Sequence, residues 1–77
     1  MSDDELTRII EDGQASAVER ADAYVKRGRL RWKAGDMRGA LNDYNAAAEL
    51  DPDGPGADLA AHTVEILNFY NHDLYNP

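Results

Sequence analysis

The stretch YVKRGRLRWKAGDMRGALNDYNAAAELDP, residues 24–52, holds two apolar patterns of helical spacing on either side of a short turn. In its first half, Tyr24, Gly28 and Trp32 recur at intervals of four residues. In its second half, six residues follow the i, i+3, i+4 pattern: Met37, Ala40, Leu41, Tyr44, Ala47 and Ala48. Apolar residues at this spacing form one face of an amphipathic helix. The stretch therefore predicts two antiparallel helices that pack against each other.

Local signals predict where both helices begin and end. The segment SAVE, residues 16–19, is a capping box and opens a first helix over residues 17–34. Gly35 suits the C-terminal end of that helix, and Asp36 can cap a second helix over residues 37–50. An Asp-Pro pair then ends the second helix.

Two features of the first helix concern its packing. Gly28 lies in the middle of the helix, where glycine costs about 1 kcal/mol relative to alanine. We therefore expect another helix to approach closely at this position. Apolar residues also occupy a second side of the helix: Ala23, Leu30 and Ala34. A helix that is apolar on two sides usually packs between two neighbours.

Helices are predicted on both flanks of this pair. The segment SDDE, residues 2–5, is another capping box and opens a short helix over residues 3–12, which Gly13 would end. A turn-rich DPDGPG segment precedes a helix over residues 55–74. One stripe runs along that last helix: Leu59, Thr63, Ile66, Leu67, Tyr70 and Leu74. Tyr75–Pro77 lies off the stripe, and its role is left open. The 77 residues thus predict a single all-α domain.

Composition narrows the classes of function. The chain carries a formal net charge of -7 at pH 7, which argues against a nucleic-acid module and against binding to an anionic membrane. Cysteine is absent, so disulfides and Cys-based zinc sites are excluded. The acidic N-terminus lacks the features of a secretory signal, and no apolar run approaches the roughly 20 residues of a membrane span. We therefore expect a cytoplasmic protein.

The opening stretch resembles a tetratricopeptide repeat (TPR), a helix-turn-helix unit of about 34 residues. Six positions carry the resemblance: Tyr24, Gly28, Ala40, Tyr44, Ala47 and Pro52. Two positions depart from the family pattern, because Arg27 replaces a usual leucine and Arg31 replaces a usual tyrosine. We expect either a slightly rotated helix or stacking of Arg31 on an aromatic side chain.

The resemblance also implies how the parts of the chain are related. Residues 17–52 would be one complete TPR, and residues 3–12 the second helix of a truncated preceding repeat. Residues 55–74 would be the capping helix that seals such arrays, so that the chain forms an α-α superhelix fragment. The whole chain is similar to small bacterial single-repeat proteins of this family. The resemblance therefore implies a role in protein binding or assembly, as a scaffold without catalysis.

Positive charge is concentrated on one part of this acidic chain. Of its eight basic residues, six lie between positions 26 and 38: Lys26, Arg27, Arg29, Arg31, Lys33 and Arg38. The resemblance implies that the first helix of the repeat lines a groove with these residues: Val25, Lys26, Arg29, Trp32 and Lys33. Arginine binds a carboxylate through two parallel hydrogen bonds, so an acidic or C-terminal peptide is the expected ligand. The alternative is a solvated face whose charges offset acids on neighbouring helices.

The residue pattern does not indicate an enzyme. His62 and His72 are ten residues apart, outside the spacing of metal ligands, and the serines are explained as helix caps. We expect no catalytic residue, no cofactor and no metal. A single repeat leaves apolar surface uncovered. A self-assembling unit, a homodimer or larger with a helical aromatic interface, is therefore the alternative to peptide binding.

Overall fold

The computed structural model describes the backbone of residues 1–75 and the side chains of residues 1–69. This part of the chain contains no strand and four α-helices: α1 (Asp3–Glu11), α2 (Ala17–Lys33), α3 (Met37–Leu50) and α4 (Gly56–Tyr75). Each helix packs mainly against its neighbours in sequence, and α2 with α3 forms the most extensive contact. The predicted all-α class is confirmed, with helix bounds that agree to within one residue. The side chains of Tyr70 and Leu74, and the role of Tyr75–Pro77, lie outside the described residues.

Serine side chains cap α1 and α2 as predicted, with one difference between them. At α2, Ser16 Oγ accepts from the Glu19 N–H at 3.1 Å, and the Glu19 carboxylate accepts from the Ser16 N–H at 3.2 Å. This exchange completes the capping box. At α1, Ser2 Oγ accepts from the Glu5 N–H at 3.3 Å but also donates to the Glu5 carboxylate at 3.1 Å. The first cap therefore uses the serine hydroxyl twice and is not a full capping box.

The end of α1 differs from the sequence prediction. Gly13 follows the C-cap residue Asp12, but Gly35 is the only described glycine with a positive φ. Asp12 Oδ1 instead accepts from the Gln14 N–H at 2.9 Å. An aspartate turn, rather than a left-handed glycine, therefore redirects the chain from α1 toward α2.

The turn between α2 and α3 has the predicted chemistry. Gly35 adopts a φ of +86°, and its N–H donates to the Trp32 carbonyl at 3.0 Å. The Asp36 N–H donates to the Arg31 carbonyl at 2.8 Å, which completes a Schellman motif around the glycine. Asp36 Oδ1 then accepts from the Gly39 N–H at 2.9 Å and caps α3. Two adjacent residues thus close one helix and open the next.

Gly28 lies where α2 contacts α3. A Cβ built on Gly28 would lie 2.7 Å from Tyr44 Cε1 and 3.3 Å from Asp43 Cβ, which leaves too little room for a larger residue. Tyr44 is buried, and so is Ala40 on the same side of α3. The close helix approach predicted from the mid-helix glycine is confirmed.

Asp43 is a buried carboxylate between the same two helices, with 2% of its surface exposed. Arg27 of α2 donates from Nε and Nη2 to its two oxygens, at 3.0 and 2.8 Å. Arg31, one turn further along α2, places Nη1 3.3 Å from Asp43 Oδ1. Arg27 Nη1 also donates to Thr7 Oγ1 of α1 at 3.2 Å. We call these four residues the Asp43 cluster, which connects α1, α2 and α3.

The Asp43 cluster accounts for the two departures from the repeat pattern. Two arginines can occupy positions that favour apolar residues because α3 supplies a buried carboxylate between them. The predicted stacking of Arg31 is wrong, since its guanidinium binds Asp43; Arg27 lies over the Tyr24 ring instead, 5.4 Å from the centroid. Hydrogen bonding to Asp43 raises the pKa of Arg27 above its ordinary value, although burial acts in the opposite direction. Arg27 therefore stays positively charged beside its carboxylate.

The second apolar side of α2 is only partly covered. Ala23 is buried against Leu6 and Ile10 of α1. Leu30 keeps 38% of its surface exposed, and Ala34 is exposed at the end of the helix. Because α1 has only nine residues, it covers the first part of this side and leaves the rest to solvent.

The first two turns of α4 pack closely on α3. A Cβ built on Gly56 would lie 2.8 Å from both the Ala48 nitrogen and the Tyr44 carbonyl oxygen. Ala60 and Thr63 follow on the same side of α4 and are buried. Gly56 is therefore the point at which the backbone of α4 rests on the backbone of α3.

Burial decreases along the rest of α4. Ile66 and Leu67 are half-buried, whereas Val64 and Phe69 are 40% and 75% exposed. With 20 residues against the 14 of α3, α4 is longer than the helix on which it packs. The described part of α4 thus has a docked first half and a more exposed continuation.

The variant Gly56→Ala is expected to lower the free energy of unfolding by roughly 1–3 kcal/mol, because the new methyl group would collide with the backbone of α3. Urea denaturation followed by circular dichroism measures the change. Gly13→Ala is the matched control, since a Cβ there meets no atom within 4 Å and φ is not positive. The control should stay within about 0.5 kcal/mol of wild type or gain slightly. Wild-type stability of Gly56→Ala would contradict the contact of α4 with α3.

Candidate binding groove

A cavity of about 300 Å³ opens between α2 and α4, with α3 beneath it. Seven residues line it: Arg29, Trp32, Lys33, Tyr44, Leu59, His62 and Thr63. We call this cavity the basic groove. Its volume is at the lower end of the range for small-molecule sites, which is room for one or two amino-acid side chains.

Two helix faces of the same spacing form the walls of the basic groove. Residues 29, 32 and 33 stand at i, i+3 and i+4 on α2, and residues 59, 62 and 63 stand at the same intervals on α4. Side chains at these intervals project from one side of a helix. Short turns make consecutive helices antiparallel, so α2 and α4 run in the same direction on either side of α3. Their two faces therefore meet across α3.

An aromatic stack joins the two walls. The Trp32 and His62 rings lie with their centroids 6.2 Å apart and their planes 18° from parallel. Stacked aromatic pairs contribute about 0.5–1.5 kcal/mol beyond the burial of their surface. The stack therefore helps to hold α4 beside α2, and both of its residues line the groove.

Tyr44, which forms the floor of the basic groove, and Leu59 and Thr63 of its α4 wall are neutral side chains. Burial raises the pKa of Tyr44, while the positive charge of Arg29 acts in the opposite direction with a smaller effect. The phenol therefore remains protonated. Leu59 packs against the buried cluster that contains Tyr44. Thr63 uses its hydroxyl within α4, where Oγ1 donates to the Leu59 carbonyl at 2.8 Å.

The rim of the groove carries two positive charges that have no carboxylate partner among the described side chains of residues 1–69. Ion pairs in the described part of the chain are one exposed pair, Lys26 with Asp22 at 2.9 Å, and those of the Asp43 cluster. Arg29 and Lys33 are both exposed and take part in none of these pairs. In a chain of net charge -7, these two side chains create a local positive field that faces solvent.

The structure brings together three of the five residues predicted for the groove. Arg29, Trp32 and Lys33 line the same cavity. Val25 is 6% exposed and packs in the core between α2 and α3. Lys26 does not line the basic groove and pairs with the neighbouring Asp22. Lys26 fits the solvated-face alternative, and Arg29 and Lys33 are exposed as well, so the choice between a binding groove and a solvated face stays a prediction.

The α4 wall of the groove was not predicted. The sequence identifies Leu59 and Thr63 only as packing residues and Tyr44 only as core, and it raises His62 only as a metal ligand. One signal was available, because residues 59, 62 and 63 repeat the spacing of residues 29, 32 and 33. Matching the two faces requires the register of α4 on α3, which depends on the contact at Gly56.

The described residues contain no group of three or more His, Cys, Asp or Glu side chains placed to hold a metal ion. None of the helices, over the same residues, is both long and apolar enough to cross a membrane. Comparisons of the chain with protein-family models, with curated proteins and with solved structures found no match. The tetratricopeptide resemblance therefore stays a prediction from the residues.

Proposed function

We propose that the protein is a non-catalytic binding module that holds an acidic segment of a partner protein, internal or C-terminal, in the basic groove. One observation carries the proposal: among the side chains that the structure describes, Arg29 and Lys33 have no ion-pair partner, and they lie beside the neutral Tyr44 and Leu59 in a chain of net charge -7. A guanidinium binds a carboxylate through two parallel hydrogen bonds, and a nearby ammonium adds a second attraction. Trp32 and Leu59 would contact an apolar side chain next to the acid.

The size of the groove limits the affinity. A site for one or two side chains buries little surface, so binding should be weak, on the order of 10 μM or weaker. The two basic side chains are exposed, so the interaction should weaken further as salt is added. Opposite charge would mainly increase the rate of association and select acidic partners over basic ones.

The tetratricopeptide resemblance supports the proposal. In that family the first helix of each repeat lines a concave groove that holds peptides. Here α2 would be the first helix of the repeat over residues 17–52, and α4 would occupy the position of the next first helix. The basic groove lies between these two helices.

A fluorescein-labelled peptide with two glutamates beside a leucine is expected to bind the wild-type chain and to lose at least about tenfold in affinity for Arg29→Glu/Lys33→Glu. The reason is that both positive charges at the groove become negative. Fluorescence anisotropy at low salt measures both dissociation constants.

The double variant Arg8→Glu/Arg38→Glu is the matched control. It changes the net charge by the same amount at two exposed positions outside the groove. Its affinity should fall far less than that of the groove variant. Equal losses in both variants would show that only the overall charge matters, and no loss in either would contradict the proposal.

A second candidate function is self-assembly through α4, with partners that are copies of the same chain. The observation in its favour is the exposure of Val64 and Phe69 on the part of α4 that follows the docked residues. Small domains often cover such apolar surface by oligomerising. A helical interface between two α4 helices would cover part of this exposed apolar surface.

Sedimentation equilibrium over a wide concentration range tests this second candidate. If copies associate through α4, Phe69→Asp should weaken the association at least about tenfold, because it places a charge in an apolar contact. Asn45→Asp, which adds the same charge at an exposed position of α3, should leave it nearly unchanged. A wild-type chain that stays monomeric at millimolar concentration would exclude this candidate.

A further inference from the structure

A second cavity, of about 120 Å³, lies between α2 and the α3–α4 turn. Its apolar walls include Val18 and Val25 of α2, and the turn residues 54–56 form its far side. Two carboxylates line it as well, Asp22 of α2 and Asp51 at the end of α3. We call this cavity the acidic pocket. It has room for a single side chain and is opposite in charge to the basic groove.

The acidic pocket and the basic groove lie on one side of α2. Five residues follow one another there at intervals of three or four: Val18, Asp22, Val25, Arg29 and Lys33. At 1.5 Å per residue this stripe is roughly 22 Å long. Negative charge lies toward its N-terminal end and positive charge toward its C-terminal end. The charge of this surface therefore changes from negative to positive along α2.

We propose that this surface binds one extended segment of a partner protein, with an acidic side chain in the basic groove and a lysine or arginine in the acidic pocket. The inference rests on the proposed function, because its acidic end uses the same groove. Asp22 is seven residues from Arg29 and eleven from Lys33, which is roughly 10–16 Å along the helix. An extended chain advances about 3.3 Å per residue. The basic and acidic residues of the ligand should therefore be about three to five positions apart.

The walls of the acidic pocket suit a long basic side chain. Val18 keeps 61% of its surface exposed beside the pocket and supplies the accessible apolar wall, whereas Val25 is 6% exposed. Lysine and arginine bury their aliphatic stems on such surface while the charged end reaches a polar group. Within the described residues, Asp22 pairs with Lys26 alone, in an exposed pair between neighbouring turns of the helix. Exposed pairs contribute little, so a cation from the partner can replace Lys26 at Asp22.

Labelled ten-residue peptides test this inference on the full chain by fluorescence anisotropy. The parent peptide carries Glu-Glu-Leu and a lysine four residues away, and its analogue has glutamine in place of that lysine. Both are made in either chain direction, because the stripe does not specify which end of the ligand is N-terminal. In one direction, the lysine peptide should bind wild type roughly three- to tenfold tighter than the glutamine peptide.

Two variants test whether the acidic pocket causes the preference for the lysine peptide. Asp22→Asn/Asp51→Asn should remove it, because both carboxylates of the pocket become neutral. Asp4→Asn/Glu11→Gln, which neutralises two exposed carboxylates of α1, should retain it. Equal binding of the lysine and glutamine peptides in both directions, or equal loss of the preference in both variants, would overturn the inference. If no peptide binds the wild-type chain and the chain dimerises through this surface, a second copy occupies the surface, and the inference is also overturned.

The same binding measurements distinguish failure of the proposed function from failure of this inference. The glutamine peptide depends only on the basic groove, so it should still bind wild type at least about tenfold tighter than Arg29→Glu/Lys33→Glu. If that difference is absent, the groove itself does not bind acids. If it is present while lysine adds nothing, the acidic pocket alone is ruled out.

Discussion

The packing of this chain depends on one buried carboxylate. Asp43 lies between Arg27 and Arg31 and is nearly inaccessible to solvent. A buried charge that loses its partner is strongly destabilising, so the two helices are held in the register that keeps these groups together. Arg27 also reaches Thr7, which ties the short α1 to the same point. The Asp43 cluster thus joins three helices at one point, and any other register of α2 on α3 would separate these charges.

The same register gives the basic residues of α2 two different roles. Arg27 and Arg31 are four residues apart and face Asp43, whereas Arg29 and Lys33 are four residues apart on another side and line the basic groove. A run of positive charge in the sequence therefore becomes a structural pair and an exposed pair. The contact of Gly56 with α3 then places α4 across from the exposed pair. The groove is a consequence of these two backbone registers, one between α2 and α3 and the other between α3 and α4.

Features with local causes could be predicted from the sequence, and features with long-range causes could not. Three features were predictable because each depends on neighbouring residues or on a single glycine. They are the helix bounds, the turn at Gly35 and the close approach at Gly28. Asp43 was missed because a hydropathy pattern assigns aspartate to solvent, although its position i+3 from the buried Ala40 placed it in the core stripe. The α2 wall of the groove was predicted only through the resemblance to the tetratricopeptide repeat, which implies that the first helix of a repeat lines a groove. The α4 wall required a contact distant in sequence, at Gly56.

A double-mutant cycle between Arg27 and Asp43 tests the central claim most directly. Unfolding by urea is measured for wild type, Arg27→Leu, Asp43→Ala and the double variant, all in the same concentration of trimethylamine N-oxide so that each folds. Asp43→Ala should cost roughly 3 kcal/mol, because it leaves a partly buried guanidinium unpaired. Adding Arg27→Leu should recover at least about 1 kcal/mol of that loss. If Arg27→Leu destabilises the Asp43→Ala variant as much as it destabilises wild type, the two residues are not coupled and the account is contradicted.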